Sequence, residues 1–306
     1  MKRLLMSIVA GGSLLATASV GHADLLAYEG FEYPAGPVDG LSGGSGWRPV
    51  PDGAWDNQMD GSDYSVASGS ALTFGPLVTS GLGMSGGGNF RTVGRRVDTR
   101  GDGSWAAAGV VSDGWSEGEA DQGTVWFSSL VRRDAANRLL QINFIGSNTP
   151  WFLGPPGTIT LVNDTDLDEW NGVSDVWHLG TQAGSSLGSP VSTGISAGTG
   201  LTQLLLAKFD FNGTASQVRF WVYSDPSSLP VSTPADASAH ATLTGLDQDA
   251  IGFRGVGFYL HNSGGSGSVD EIRFGTTYAD VVPLVPEPAM LSMLALAGTL
   301  LLRRRA

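Results

Sequence analysis

Apolar and polar positions alternate along much of this chain with a period of two, the repeat of a strand whose two faces look in opposite directions. The clearest run is 124–132, where Val125, Phe127, Ser129 and Val131 alternate with Thr124, Trp126, Ser128 and Leu130. Both sets are largely apolar, which predicts a central strand buried on both faces. Residues 216–223 repeat the pattern, with Val218, Phe220 and Val222 on one side and Arg219, Trp221 and Tyr223 on the other. Residues 202–211 precede them, joined by Asn212-Gly213, a pair that favours a tight hairpin turn. Further strands are predicted at 25–33, 89–97, 105–111, 138–145, 157–163, 251–260 and 268–274, with brief ones at 64–66 and 71–74. The turn residues 134–137 predict that 124–132 and 138–145 form a hairpin, while 181–200 reads as low-complexity sequence. No long helical period or fixed repeat occurs between 24 and 282. The chain is therefore predicted to be all-β, a single sandwich with Greek-key connections.

The two ends follow different patterns. Lys2 and Arg3, an apolar stretch over 4–20 and the small residues Gly21 and Ala23 make a secretory signal peptide, with cleavage between Ala23 and Asp24. At the other end, Pro286-Glu287-Pro288 is rigid and extended, since each proline fixes its own φ and disfavours helix in the residue before it. An apolar run over 289–302 follows, then Arg303, Arg304 and Arg305. Fourteen helical residues reach about 21 Å across a hydrocarbon layer about 30 Å thick, a marginal transmembrane helix whose arginines set its direction. The segments are thus 1–23 (signal peptide helix), 24–282 (ectodomain) and 283–306 (C-terminal signal).

Charge and composition narrow the function. Of 17 basic and 29 acidic residues, Lys2, Arg3, the three terminal arginines and Glu287 fall outside 24–282, leaving 12 minus 28, a net charge of −16. Such a surface repels nucleic acid, so no nucleic-acid partner is expected. The chain has no cysteine, which removes disulfides, thiol catalysis and zinc–thiolate sites, so stability must come from the core. Glycine is abundant, 45 of 306 residues, as suits many turns.

Taken together, VPEP, a short apolar run and a terminal arginine cluster resemble the PEP-CTERM sorting signal of Gram-negative bacteria. That resemblance implies recognition in the inner membrane by an exosortase, after export by the secretion machinery, and delivery to the cell surface or beyond. The run YEGFEYPAG, then GLSGGSGW ending at Trp47, and the closing VDEIRFGTTYADVVP resemble exported proteins with a concanavalin-like or laminin-G-like jelly roll. There the closing strand pairs back near the N-terminal strand. Association with extracellular polysaccharide or biofilm matrix is implied as well.

Candidate chemistry is sparse. Asp164, Asp166 and Asp168 alternate in NDTDLDEWNGVSD and could converge on calcium. The loop has Glu169 where an EF-hand needs glycine, and Asp175 where it needs a bidentate glutamate, so a solvated turn is the competing reading. Asp113, Glu117, Glu119 and Asp121 form a second acidic group, but no E-x-D-x-x-E strand of the laminarinase kind occurs. His178, His240 and His261 lie far apart and share no ligand spacing. Trp221 and Tyr223, one pleat apart with Arg219, offer an aromatic platform for a sugar ring, against the alternative that they fill core. The resulting expectation is a non-enzymatic, glycan-binding or adhesive module without a tightly bound cofactor. The rivals are a polysaccharide hydrolase or lyase on the same sandwich and a purely structural surface component.

Overall fold

The computed structural model describes residues 25–57, 64–86, 92–111, 119–135, 139–146, 158–163, 175–183, 186–247, 251–260 and 267–284. The signal peptide with Ala23 and Asp24, the acidic loop with Asp164, Asp166 and Asp168, and the sorting residues Pro286, Glu287, Pro288, Arg303, Arg304 and Arg305 lie outside them. Among the described residues no helix is long and apolar enough to cross a membrane.

Sixteen strands are present among those residues. In chain order they are β1 (Leu25–Glu29), β2 (Gly36–Pro37), β3 (Asp56–Asn57), β4 (Tyr64–Ala67), β5 (Gly83–Gly86) and β6 (Thr92–Arg96). After a one-turn helix α1 (Ser104–Ala107) come β7 (Gly123–Arg133), β8 (Leu140–Ile145), β9 (Ile159–Val162), β10 (Val176–Ala183) and β11 (Ser186–Ser196). The chain continues through β12 (Thr202–Phe211), β13 (Ser216–Tyr223), β14 (Ala241–Leu246), β15 (Gly255–Leu260) and β16 (Gly267–Gly275), and reaches a short helix α2 (Tyr278–Val281). They form two antiparallel sheets, the jelly-roll sandwich the alternation predicts. One has nine strands in the order β14-β13-β12-β7-β16-β5-β4-β2, with β1 also on β16; the other has seven, β11-β10-β9-β8-β15-β6-β3.

The 124–132 run lies in β7, in the middle of the nine-stranded sheet, flanked by β12 and β16. Its two apolar faces serve two cores. Val125, Phe127 and Val131 point between the sheets and join the main cluster with Phe144, Phe209, Phe253 and Phe274. Trp126 and Leu130 point away from the other sheet and join a second cluster with Trp221, Tyr223, Leu204, Leu206, Phe74, Leu77 and Tyr278. That outer cluster is lined by three segments that return over the sheet, around residues 72–77, 229–239 and 278–284.

Four local predictions are corrected. Residues 71–74 are not a strand but an irregular stretch over the outer core, where Leu72 and Phe74 are buried. β7 and β8 are not a hairpin, because they belong to opposite sheets. Residues 105–111 begin in a helix, where Ala106, Ala107 and Ala108 follow Trp105. The 181–200 stretch carries the whole of an eleven-residue edge strand, β11.

β16 holds the nine-stranded sheet together, pairing with β7 along one side and with β1 and β5 along the other. A bulge interrupts it between Asp270 and Arg273, where Glu271 has a left-handed φ of 52°. Asp270 is fully buried there, its carboxyl accepting the backbone N–H groups of Leu72 and Glu271 at 2.9 and 2.8 Å. Burial pushes that carboxyl up to about 8, against the opposing pull of those two donors. The folded protein therefore holds a proton that the unfolded chain releases above about pH 4. This group makes stability fall as pH rises from about 4 to about 8, with a slope of at most about 1.4 kcal/mol per pH unit, and level off above. Urea midpoints of the parent and of Asp270→Asn across that range check it. The variant is expected to show the shallower pH dependence, whatever its absolute stability.

Candidate functional site

The seven-stranded sheet presents its apolar residues to the core and its polar residues outward. On β8, Leu140, Ile142 and Phe144 enter the main cluster, as do Ile159 and Leu161 of β9, Trp177 and Leu179 of β10, and Val256 and Phe258 of β15. By the same period of two, Gln141 and Asn143, Thr158 and Thr160, His178 and Gln182, and Tyr259 face the opposite way. Register aligns these into rows across the strands. One row runs Asp56, Gly94, Gly257, Asn143, Thr160, Gly180. The row beside it runs Thr92, Tyr259, Gln141, Val162, His178.

Asn143 sits at the middle of the first row and is fully buried. Its Oδ1 accepts from Gln141 Nε2 at 2.7 Å and from Thr160 Oγ1 at 2.9 Å, while its Nδ2 has no hydrogen-bond partner. Thr158 Oγ1, on the same face, also lacks one. Buried donors are nearly always paired, so these two atoms are exceptions, held beneath the surface and out of a ligand's reach. Beyond Thr160 the row is closed, because Leu187 lies over Gly180 so tightly that a Cβ there would meet its side chain at 2.4 Å. In the other direction Gly257 and Gly94 bring no side chains, and the row ends at a cavity of about 400 Å³. Asp39, Asp52, Asp56, Arg96, Trp55 and Pro51 are among the residues that line it. Asp52 is 3.7 Å from Arg48.

A buried ion pair supports this end of the sheet from inside. Arg95 alternates with outward Gly94 and Arg96 and so points into the core, where it contacts the carboxylate of Glu29; both are essentially inaccessible. Arg95 also donates to the carbonyls of Gly53 (2.6 Å) and Gly43 (2.9 Å), and its guanidinium lies 4.7 Å over the Trp47 ring. Glu29 accepts from Tyr33 Oη at 2.6 Å and the Phe31 amide at 2.7 Å. Burial raises the Glu29 carboxyl and lowers the Arg95 guanidinium, and their mutual contact opposes both shifts. The pair ties three glycine-rich turns to β1 and β6. Gly46 shows how close that packing is: its φ is +73°, and a Cβ would lie 1.7 Å from the Leu26 carbonyl oxygen.

The aromatic platform proposed from the sequence is not exposed. Trp221 is completely buried, stacked on Trp126 at 5.7 Å, with its Nε1 donating to Ser238 Oγ at 3.2 Å. Tyr223 is buried beside it, and Arg219 contacts Asp210 and, at 3.2 Å, Asp236. The connection from β13 to β14 folds back over that face, so these residues fill the outer core. Trp47 and Trp55 are buried too. Of the second acidic group, Glu119 lies against Gly146 and Gly252, while Asp113 and Glu117 fall outside the described residues. Among the described residues, no three His, Asp or Glu side chains converge as a metal site. Sequence reasoning missed the polar rows, although Gln141 and Asn143 alternate with apolar neighbours in 138–145, and Gly255 and Gly257 do so in 251–260.

No protein-family model and no curated protein matches the sequence. Solved structures do resemble the fold. The laminarinase from Rhodothermus marinus is 11% identical, with 84% of this chain and 98% of that one aligned and a TM-score of 0.40. The endo-1,3-beta-glucanase from Streptomyces sioyaensis is 10% identical over 81% and 96%, with a TM-score of 0.39. Winged bean acidic lectin, complexed with methyl-alpha-D-galactose, is 11% identical over 80% and 98%, with a TM-score of 0.35. At these identities the likeness is one of fold alone. The expectation of a non-enzymatic protein is corrected here: a laminarinase and an endo-1,3-beta-glucanase are among these similar structures, beside a lectin.

Proposed function

We propose that this chain is an exported bacterial envelope protein that engages extracellular polysaccharide at the cavity beside the β3–β6 edge of the seven-stranded sheet. The secretion machinery exports it through its N-terminal signal, and the C-terminal signal holds it in the inner membrane until an exosortase processes it. The observation that carries the ligand class is that cavity, of about 400 Å³. Exposed Asp39, Asp52 and Asp56, with Arg96 and Pro51 around an opening of that size, suit the hydroxyl groups of a sugar chain. A second reading, hydrolysis of the same polymer, is favoured by Asp39, Asp52 and Asp56 lining the cavity at the row's end, since glycosidic cleavage needs two carboxyl groups flanking the bond.

The test is a glycan array with the purified full chain, run with and without calcium, the second condition addressing Asp164, Asp166 and Asp168. Retention of a polysaccharide is expected, and Asp39→Ala, checked for an intact melting transition, should weaken it by about tenfold or more. An unchanged affinity in that variant, or no retained glycan, overturns the assignment. Release of reducing ends, abolished by Asp56→Asn, would place hydrolysis at the same site.

A further inference from the structure

The folded body extends almost to the sorting signal. After β16, Thr277 caps α2, its amide and hydroxyl bonded to Asp280 Oδ2 at 2.7 and 2.9 Å. Tyr278, Val281 and Val282 are buried in the outer core. Tyr278 Oη donates to the Pro230 carbonyl at 2.6 Å, and Ser128 Oγ donates to the Val281 carbonyl at 2.6 Å. The Val78 amide then donates to the Pro283 carbonyl at 3.0 Å, and Leu77 bridges Leu284 in antiparallel fashion. A single residue, Val285, separates that bridge from Pro286. Four residues, 285–288, separate it from the apolar run, so Leu284 and Ala289 are at most about 18 Å apart.

We propose that residues 277–284 form a latch that must open before the chain can be processed at 286–288. The inference rests on the sorting reading above. Enzymes that cut a backbone act on segments free of their own pairing, and they need extended residues on both sides of the bond. Here the residues just before the tripeptide are occupied by the outer core. A membrane-embedded enzyme therefore has to draw α2 and 282–284 off the sheet, or act before they dock. In the cut itself the amide C–N bond breaks, the acyl carbon passes to water or to an amine or hydroxyl nucleophile, and the leaving nitrogen takes up a proton. The latch controls access to that step and takes no part in it. It also couples processing to completion of the fold, since α2 docks on β7 and β16.

A disulfide across the bridge tests this. The Val78-to-Pro283 hydrogen bond makes Leu77 and Leu284 a non-hydrogen-bonded antiparallel pair, with Cα atoms about 4.5 Å apart, within the span a disulfide bridges. The chain has no other cysteine to compete. Full-length parent and Leu77→Cys/Leu284→Cys chains are expressed in a bacterium that has an exosortase, and loss of the tail is followed over time by mass. Processing of the parent, its loss in the oxidised double variant and its return on reduction are expected. Each single cysteine variant should be processed like the parent. If the oxidised chain loses its tail at the parent's rate, the latch is overturned while the sorting reading stands. If the parent never loses its tail, the sorting reading fails and the latch falls with it.

Discussion

Replacing Arg95 with methionine is expected to lower the stability of the folded chain by about 3–5 kcal/mol. The loss does not measure the attraction between Arg95 and Glu29. Removing the guanidinium leaves a carboxylate that is 1% exposed, with Tyr33, Trp55 and the Phe31 amide around it but no counter-charge. It also strands the Gly53 and Gly43 carbonyls that Arg95 caps. Replacing both partners, as Glu29→Leu with Arg95→Met, removes the uncompensated charge and should recover much of the loss. Urea denaturation of the two single variants and the double variant gives the cycle. A double variant no better than Arg95→Met would show that the carbonyl contacts carry the effect.

Phe144→Ala should cost a similar amount, about 3–5 kcal/mol, for a different reason. Phe144 lies at the centre of the main core, 4.7 Å from the Phe209 ring, 4.9 Å from Phe127 and 5.4 Å from Phe253, centroid to centroid. Phe127 and Phe209 come from two strands of the opposite sheet and Phe253 from the segment leading into β15, so the cavity left behind cannot close by a shift of one element. Phe144→Leu, which keeps most of the volume, should cost less than half as much. Denaturant midpoints of both variants decide it, and equal losses would mean that ring packing matters more than filled space.

Much of this architecture was legible because a strand buried on one face writes its period directly into the sequence. β7, β12, β13 and β16 all fall within a residue of their predicted bounds. The alternation in β13 even separates the two cores, with Val218, Phe220 and Val222 in the main one and Trp221 and Tyr223 in the outer one. What the period cannot report is what lies above a face. Trp221 looked like an exposed platform because nothing local says that Ser238, sixteen residues past Gly-free β13's Val222, folds back onto the indole. The supposed hairpin of β7 and β8 failed for a related reason: turn residues at 134–137 mark a change of direction, and the change here is from one sheet to the other. The helix at α1 carries its own local signal, three successive alanines inside the stretch 105–111 whose pattern predicts a strand. Arg95 and Glu29, 66 positions apart, were beyond any local rule. The candidate site was not legible: Asp39, Asp52 and Asp56 sit in turn-rich sequence without a period, and only register shows that Asp56 pairs with Gly94 at the cavity.

The position of β16 constrains the order in which the molecule can assemble. Without it, the nine-stranded sheet falls into β14-β13-β12-β7 on one side and β5-β4-β2 on the other, and β1 has no partner strand. The pairing of Leu25 with Gly275 closes a loop of 250 residues, a contact whose entropy cost is met before any local gain offsets it. A chain emerging from its N-terminus first therefore holds two unjoined half-sheets until β16 arrives. Folding is then set by the final strand, and the first strand waits longest for its partner.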